Sequence, residues 1–406
     1  MSPSSPTADR NLQAIRREFP ILKRTVNGRA ICYFDSAATS LKPQVVIEAV
    51  TEAMRDFGGN VGRSVHLLGE EVQARYDQCR LVVADFINAD PEEIVFTTNA
   101  TQAIQLVASN IPATRPVLTT RTEHHSNLLP WLKRDGLRFI DTTPGQQIDL
   151  EHLERLLREH PAALVTIAHV TNSFGTVNPI QEIVALAHQH GAEVLVDACQ
   201  SISHFDVDVN ALDCDYLCFS SHKMCGPAGI GVLYAKAERL AKMHPLGLGG
   251  GQVEDVQEDG YLLARIPNRF EAGTPPIESA MGMAAACDFL SNIGRNTLQS
   301  HGQQLAETAR ERLGAIPGVR VWGPETPDER GPIVAFSVEG IEAHGVARML
   351  SNRFGICVRS GFHCAQLAHT HISAPPTVRA SFHVYSTPAE VDALGRALGK
   401  ILNLAT

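Results

Sequence analysis

The sequence predicts an α/β fold, with a large domain on a mainly parallel sheet and a smaller α+β domain. Three observations carry this. From about residue 31 short apolar runs alternate with longer amphipathic stretches, as strand–helix–strand units require. Ala163-Leu164-Val165-Thr166-Ile167-Ala168 is an almost unbroken apolar run, suited to a strand covered on both faces. After about residue 290 the character changes to a long helix, several strands and a closing helix. The expected boundaries are 24–290 for the large domain, and 1–23 with 291–406 for the small one.

The elements follow in order. Residues 1–9 are polar and Pro/Ser-rich and are expected to fray. Asn11 to Phe19 has helical periodicity and stops at Pro20. Glu93 to Thr98 predicts a strand, and Thr101 to Ser109 a helix with Ala103, Ile104, Val107 and Ala108 on its apolar side. Val117 to Thr120 and Ala163 to Ala168 predict strands. Ile180 to Gln189 predicts a helix ended by Gly191, before a strand over Glu193 to Val196. Tyr216 to Ser220 and Gly229 to Tyr234 complete the first series. Thr297 to Ile316 is the long helix, followed by strands near Ile333 to Val338, Ile356 to Arg359 and Thr377 to Phe382. Pro388 to Leu402 is the last helix.

Composition narrows the function. The chain has 406 residues, 44% hydrophobic and 19% charged, which suits a folded domain with a large core. Its net charge of −9 gives no electrostatic footprint for nucleic acid. No apolar run reaches membrane-span length, and no secretory signal pattern opens the chain. The nine cysteines form no C-x-x-C pair and no zinc-like spacing with histidine, so no metal is expected. A reduced, cytoplasmic protein with mostly core thiols is the expectation.

Ligands of such sheets sit at the carboxyl ends of strands, and the candidate chemistry falls there. Val194-Leu195-Val196-Asp197 ends one strand on a carboxylate, and Ser220-Ser221-His222-Lys223 follows another. An aspartate to pair with a pyridinium nitrogen and a lysine to form a Schiff base are what pyridoxal phosphate needs. Ser220 and His222 can donate to a phosphate, and Gln200 to the phenolic oxygen of the ring. Ala100-Thr101 opens a helix after a strand, a position whose free amides bind phosphate. His124 can stack on the ring and move protons.

These residues resemble a known family. Tyr33-Phe34-Asp35-Ser36-Ala37-Ala38-Thr39, Thr122-Glu123-His124-His125-Ser126-Asn127, Asp197-Ala198-Cys199-Gln200-Ser201 and Ser221-His222-Lys223-Met224 stand in the order found in class V aminotransferase-fold enzymes. So do Arg269-Phe270-Glu271-Ala272-Gly273-Thr274-Pro275 and Val378-Arg379-Ala380-Ser381-Phe382. The chain is most similar to the Suf-type cysteine desulfurase and selenocysteine lyase group. The resemblance implies the pyridoxal-phosphate fold type I, with a seven-stranded sheet in the large domain. It implies that Lys223 is the Schiff-base lysine, and that Asp197, Gln200, His124, Ser220, His222, Thr101 and Ala100 bind the cofactor. Thr274 would reach it across a homodimer interface. Arg379, Asn172 and Arg359 would face the substrate, L-cysteine or a related amino acid. Cys364, in Arg359-Ser360-Gly361-Phe362-His363-Cys364-Ala365, would attack the substrate sulfur and carry it as a persulfide, the form that would pass to an acceptor protein.

Four positions depart from the family pattern. Gly62 and Phe362 stand where Suf-type enzymes usually have histidine, and Ala100 where many relatives have threonine. Leu367-Ala368-His369 replaces the usual Pro-Leu. These changes point to a specialised member. Two other readings remain open on sequence: a C–S or C–Se lyase or aminotransferase of the same fold, and a non-catalytic sulfur-relay scaffold. The intact Lys223, Asp197 and Gln200 speak against the scaffold.

Overall fold

The computed structural model describes residues 6–26, 28–62, 64–143 and 145–405. Its centre is a seven-stranded sheet formed by β1 (Ile94–Thr97), β2 (Val117–Thr120), β3 (Leu137–Ile140), β4 (Leu164–Ala168), β5 (Glu193–Asp197), β6 (Tyr216–Ser220) and β7 (Gly231–Ala235). The spatial order is β1-β7-β6-β5-β4-β2-β3. Pairings among β2 to β6 are parallel, whereas β7 runs antiparallel to both β1 and β6. Successive residues serve opposite faces, as the strand period demands. Val165, Val194, Val196, Leu217 and Phe219 enter one core cluster, while Leu164, Leu195, Tyr216 and Cys218 enter another. Both faces are therefore buried, which explains the unbroken apolar runs.

Helices Gln44–Asp56, Leu67–Phe86 and Ile277–Ile293 pack together beside this sheet. None of the three is among the sequence expectations. Ile277–Ile293 buries Ile277, Ala280, Met283, Ala284, Ala286, Cys287 and Leu290, residues spread widely around the helix. It therefore lacks the polar stripe that marks an amphipathic helix.

The second sheet has four antiparallel strands in the order β8-β9-β11-β10: β8 (Val319–Trp322), β9 (Ile333–Val338), β10 (Arg359–Gly361) and β11 (Thr377–Ser381). Helices Arg295–Gly314, Ala343–Phe354 and Pro388–Ala405 cover it, with Leu305, Leu313, Phe336, Leu350 and Leu394 in a separate core. Cys32 and Phe34 also enter this core, and Cys32–Tyr33 pairs in parallel with Ile356–Cys357.

Several boundaries differ from expectation. Of the segment expected to fray, residues 1–5 lie outside the described residues, and residues 6–9 begin a helix, Pro6–Arg17. A proline fits the first helical turn, where its missing N–H costs nothing. The expected strand over 356–359 divides into Ile356–Cys357 and Arg359–Gly361, which pair with different partners. The long helix starts at Arg295, because Gly294 at φ +90° ends the preceding helix.

Candidate active site

A cavity of about 320 Å³ lies between the carboxyl edge of the seven-stranded sheet and the four-stranded sheet. Ala100, Thr101, His124, Asn172, Asp197, Ser220, His222 and Lys223 line it from the first side, and Arg359, His363, Cys364 and Arg379 from the other. Eleven of the thirteen sequence-derived site residues thus share one cavity. The other two stand elsewhere. Gln200 is buried behind the wall, its Nε2 donating to the Ala37 carbonyl at 2.9 Å. Thr274 lines a different cavity, of about 650 Å³, together with Gly62, Gly250 and Gly251.

Asp197 is the last residue of β5, and the Cys199 amide holds its Oδ1 at 2.9 Å. Lys223 ends a single 3₁₀ turn, Ser221–Lys223, directly after β6. That turn is clamped from outside. The His222 carbonyl accepts from the Ser40 amide, Ser40 Oγ and Thr39 Oγ1, each at 3.0 Å, and from Lys42 Nζ at 3.1 Å. Burial pushes the Lys42 amine down to about 8.

The helix Ala100–Asn110 points its N-terminus into the cavity. Asn99 caps it by accepting from the Gln102 amide at 3.0 Å, and the Ala100 amide donates to Ser220 Oγ at 2.9 Å. Gly231 permits this approach, since a Cβ there would meet the Asn99 backbone at 2.7 Å. Thr101 Oγ1 lies 2.8 Å from Ser126 Oγ. His124 Nδ1 accepts from the Ser126 amide at 3.1 Å, so the neutral ring carries its proton on Nε2. Burial, then the Lys223 charge, push His124 down to about 4. Burial, then Lys223 and Lys42, push His222 down to about 4. Both rings are neutral at physiological pH.

Arg359 and Arg379 stand opposite each other on β10 and β11. Asp35 sits between them, 3.6 Å from Arg359 and 3.4 Å from Arg379, and offsets their repulsion. Arg379 Nη1 also donates to the Asn172 carbonyl at 2.7 Å. Burial pushes Arg379 down to about 10, a value at which it is still charged near neutral pH.

Cys364 follows β10 in a short loop. Gly361 at φ +113°, His363 at +53° and Cys364 at +57° all occupy left-handed backbone. For non-glycine residues this costs about 1–3 kcal/mol each, so the loop must be held by its contacts. Asn172 Nδ2 donates to the His363 carbonyl at 2.7 Å, and the His125 amide donates to the Cys364 carbonyl at 2.8 Å. Seven of the nine cysteines are buried and Cys357 is half-buried, whereas Cys364 is exposed.

The residues fit pyridoxal phosphate. Lys223, Arg359 and Arg379 outnumber the one lining carboxylate, Asp197, which suits a phosphate and a substrate carboxylate. Arg379 Nε and Asn172 Oδ1 are buried without a partner at the cavity wall, so polar capacity there is unspent.

Comparison with known proteins decides the family. The class-V aminotransferase family model matches residues 32–394. The chain belongs to the class V aminotransferases. Members of this family depend on pyridoxal phosphate. A probable cysteine desulfurase of Synechocystis is 42% identical over 390 residues, 93% of this chain and 92% of that one. A cysteine desulfurase of Haloferax volcanii is 37% identical, covering 96% of each. The apo structure of cysteine desulfurase from Thermococcus onnurineus superposes with a TM-score of 0.92 at 37% identity, over 96% of this chain and 98% of that one. Escherichia coli cysteine desulfurase CsdA, in an S-sulfonic acid form, gives 0.87 at 34% identity, over 97% and 99%.

Some positions that buttress the cavity escaped the sequence reading. Asp35 entered it only within the Tyr33 to Thr39 family pattern, and Ser40 and Lys42 not at all. Their importance comes from long-range placement against Arg379 and His222.

Proposed function

We propose that this class V enzyme is a cysteine desulfurase that converts L-cysteine to L-alanine and receives the sulfur on Cys364 as a persulfide. The observation that carries this reading is the exposed Cys364 in the wall of the same cavity as Lys223, beside an arginine pair. Full-length similarity to cysteine desulfurases supports it.

Each side chain has a task. Lys223 would hold the aldehyde carbon of the cofactor and Asp197 its ring nitrogen, with Gln200 the partner of the phenolic oxygen after leaving Ala37. Thr101, Ser220, His222 and the Ala100 amide end of the helix would hold the phosphate. Bound pyridoxal phosphate supplies an electron sink that makes the substrate α-hydrogen acidic. Arg379 and Arg359, with Asn172, grip the substrate carboxylate through charge-assisted hydrogen bonds. The Lys223 amine, once free of the aldehyde carbon, would take the α-proton. The Cys364 thiolate, in the field of the two arginines, forms an S–S bond to the substrate sulfur as the C–S bond breaks. His124 Nε2–H stands ready to give a proton to the carbon left behind.

Further parts of the proposal concern the whole protein. The large domain spans 24–290 and the small one 1–23 with 291–406; the two sheets with separate cores support a division in two, although Phe19 packs in the large core and Cys32 and Phe34 in the small one. The protein acts in the cytoplasm as a homodimer in which Thr274 serves the partner's cavity, and it hands sulfur to an acceptor protein. Exposed Val65, Leu67, Leu68, Leu246 and Leu248 near the Thr274 cavity support dimerisation. Among the described residues no helix is long and apolar enough to cross a membrane.

The test is Cys364→Ser. Alanine formation from L-cysteine should fall at least about a hundredfold, while the absorbance band near ~420 nm of the lysine-bound cofactor stays. Retained turnover would instead assign a lyase in which Cys364 is not the nucleophile.

A further inference from the structure

The departure at Leu367-Ala368-His369 places a histidine directly behind the cysteine loop. His369 is fully buried. Its Nδ1 lies 3.1 Å from the Ala365 carbonyl and its Nε2 3.2 Å from Thr377 Oγ1. His363 Nε2 lies 2.9 Å from the same hydroxyl. The rings of His363 and Phe362 pack against His369 with centroids 5.7 and 5.4 Å away.

Counting protons assigns every role. A carbonyl oxygen only accepts, so His369 Nδ1 carries the hydrogen and, in the neutral ring, Nε2 is an acceptor. Thr377 has a single hydroxyl hydrogen, which goes to His369 Nε2. The Thr377 oxygen then accepts from His363, whose Nε2 must be protonated. His363 Nδ1 is left as a bare lone pair, and it is buried without any hydrogen-bond partner on a residue 9% exposed. Both rings stay neutral: burial first, then Arg379, push His363 down to about 2, and burial lowers His369.

We infer that His369, acting through Thr377, is a positioning residue for sulfur transfer: together they fix the His363 ring and the Ala365 carbonyl, the two flanks of the strained Cys364 loop. The inference rests on the reading of Cys364 as the sulfur acceptor. The same pair steadies the strained loop, since Thr377 holds the His363 side chain while His369 holds the Ala365 carbonyl on the far side of Cys364.

Two measurements test it. Nitrogen-15 NMR of histidine-labelled protein should show His363 with a bare Nδ1 and His369 with a bare Nε2; the opposite tautomer at either ring overturns the inference. In single-turnover assays with L-cysteine, His369→Leu and Thr377→Val should slow persulfide formation roughly tenfold, the order of one lost hydrogen bond. His369→Gln, which keeps an acceptor, and Thr377→Ser should stay within about threefold of the parent, with the cofactor band unchanged in all four. A merely structural role predicts no such rescue, and His369→Leu or Thr377→Val running at the parent rate overturns the inference. If His369→Leu does not fold, the Thr377 pair and the spectrum decide. Failure of the Cys364 reading is seen separately, as retained turnover of Cys364→Ser with an unchanged histidine spectrum.

Discussion

Glu123 shows how one buried group colours the pH response. It is fully buried beside His124, and it accepts from Thr120 Oγ1 at 2.8 Å and Asn127 Nδ2 at 2.7 Å. Burial outweighs these bonds and pushes its carboxyl from 4.5 up to about 7. In the pH range between those values the unfolded chain releases this proton and the folded one keeps it. The Glu123 contribution is therefore whole below about 4.5 and lost as pH rises through about 7. Buried His169 and His204, lowered to about 4 and about 3, act in the opposite sense and lose stability as pH falls below 6.5. The two effects separate by difference. Urea midpoints of Glu123→Gln minus those of the parent should grow more favourable from pH 4.5 to 7 and then level. A flat difference would mean that Glu123 is ionised throughout. At this scale Asp197 and Lys223 were legible because one ends a strand and the other closely follows one, where the fold class alone says ligands bind. Asp35 and His369 were not, because their roles depend on residues hundreds of positions away or on a hydroxyl in another strand.

Among the elements, the segment Arg269 to Pro275 is tied to the central sheet by one carboxylate. Glu271 pairs with Arg80 at 2.7 Å, and it accepts from the Phe96 amide at 2.8 Å and the Tyr76 hydroxyl at 3.0 Å. Both partners of the ion pair are about nine-tenths buried, at 9% and 10% exposure. Removing one partner leaves the other as a buried unpaired charge. Glu271→Ala should cost about 3–5 kcal/mol of unfolding free energy, measured by urea denaturation. A loss below about 1 kcal/mol would show that water replaces the carboxylate. The sequence marked this segment by family pattern only; its physical reason is a long-range salt bridge. Element type was readable where periodicity was clean, as in β4 and β5. It was unreadable in Ile277–Ile293, where burial around most of the helix erases the polar stripe.

For the whole molecule the two sheets make one site from both ends of the chain. Residues 37 to 223 bring the lysine, the carboxylate and the helix end, and residues 359 to 379 bring the arginines and the cysteine. Thr274 and Gly62 share a cavity of their own, which the proposed dimer completes with the partner's site. Light scattering should report twice the mass of one chain. A Leu67→Glu, Leu248→Glu double variant should shift towards one chain and hold pyridoxal phosphate less tightly, by roughly tenfold. A single-chain particle of the parent protein with full cofactor retention would remove Thr274 from the site.

The most direct test of the account follows the sulfur atom itself. Cofactor-loaded enzyme is mixed with a small excess of L-cysteine without reductant, quenched and mapped by peptide mass spectrometry. The account predicts one additional sulfur on the peptide holding Cys364, with alanine formed in equal amount and the other eight cysteines unmodified. Alanine released while Cys364 carries no added sulfur would contradict it.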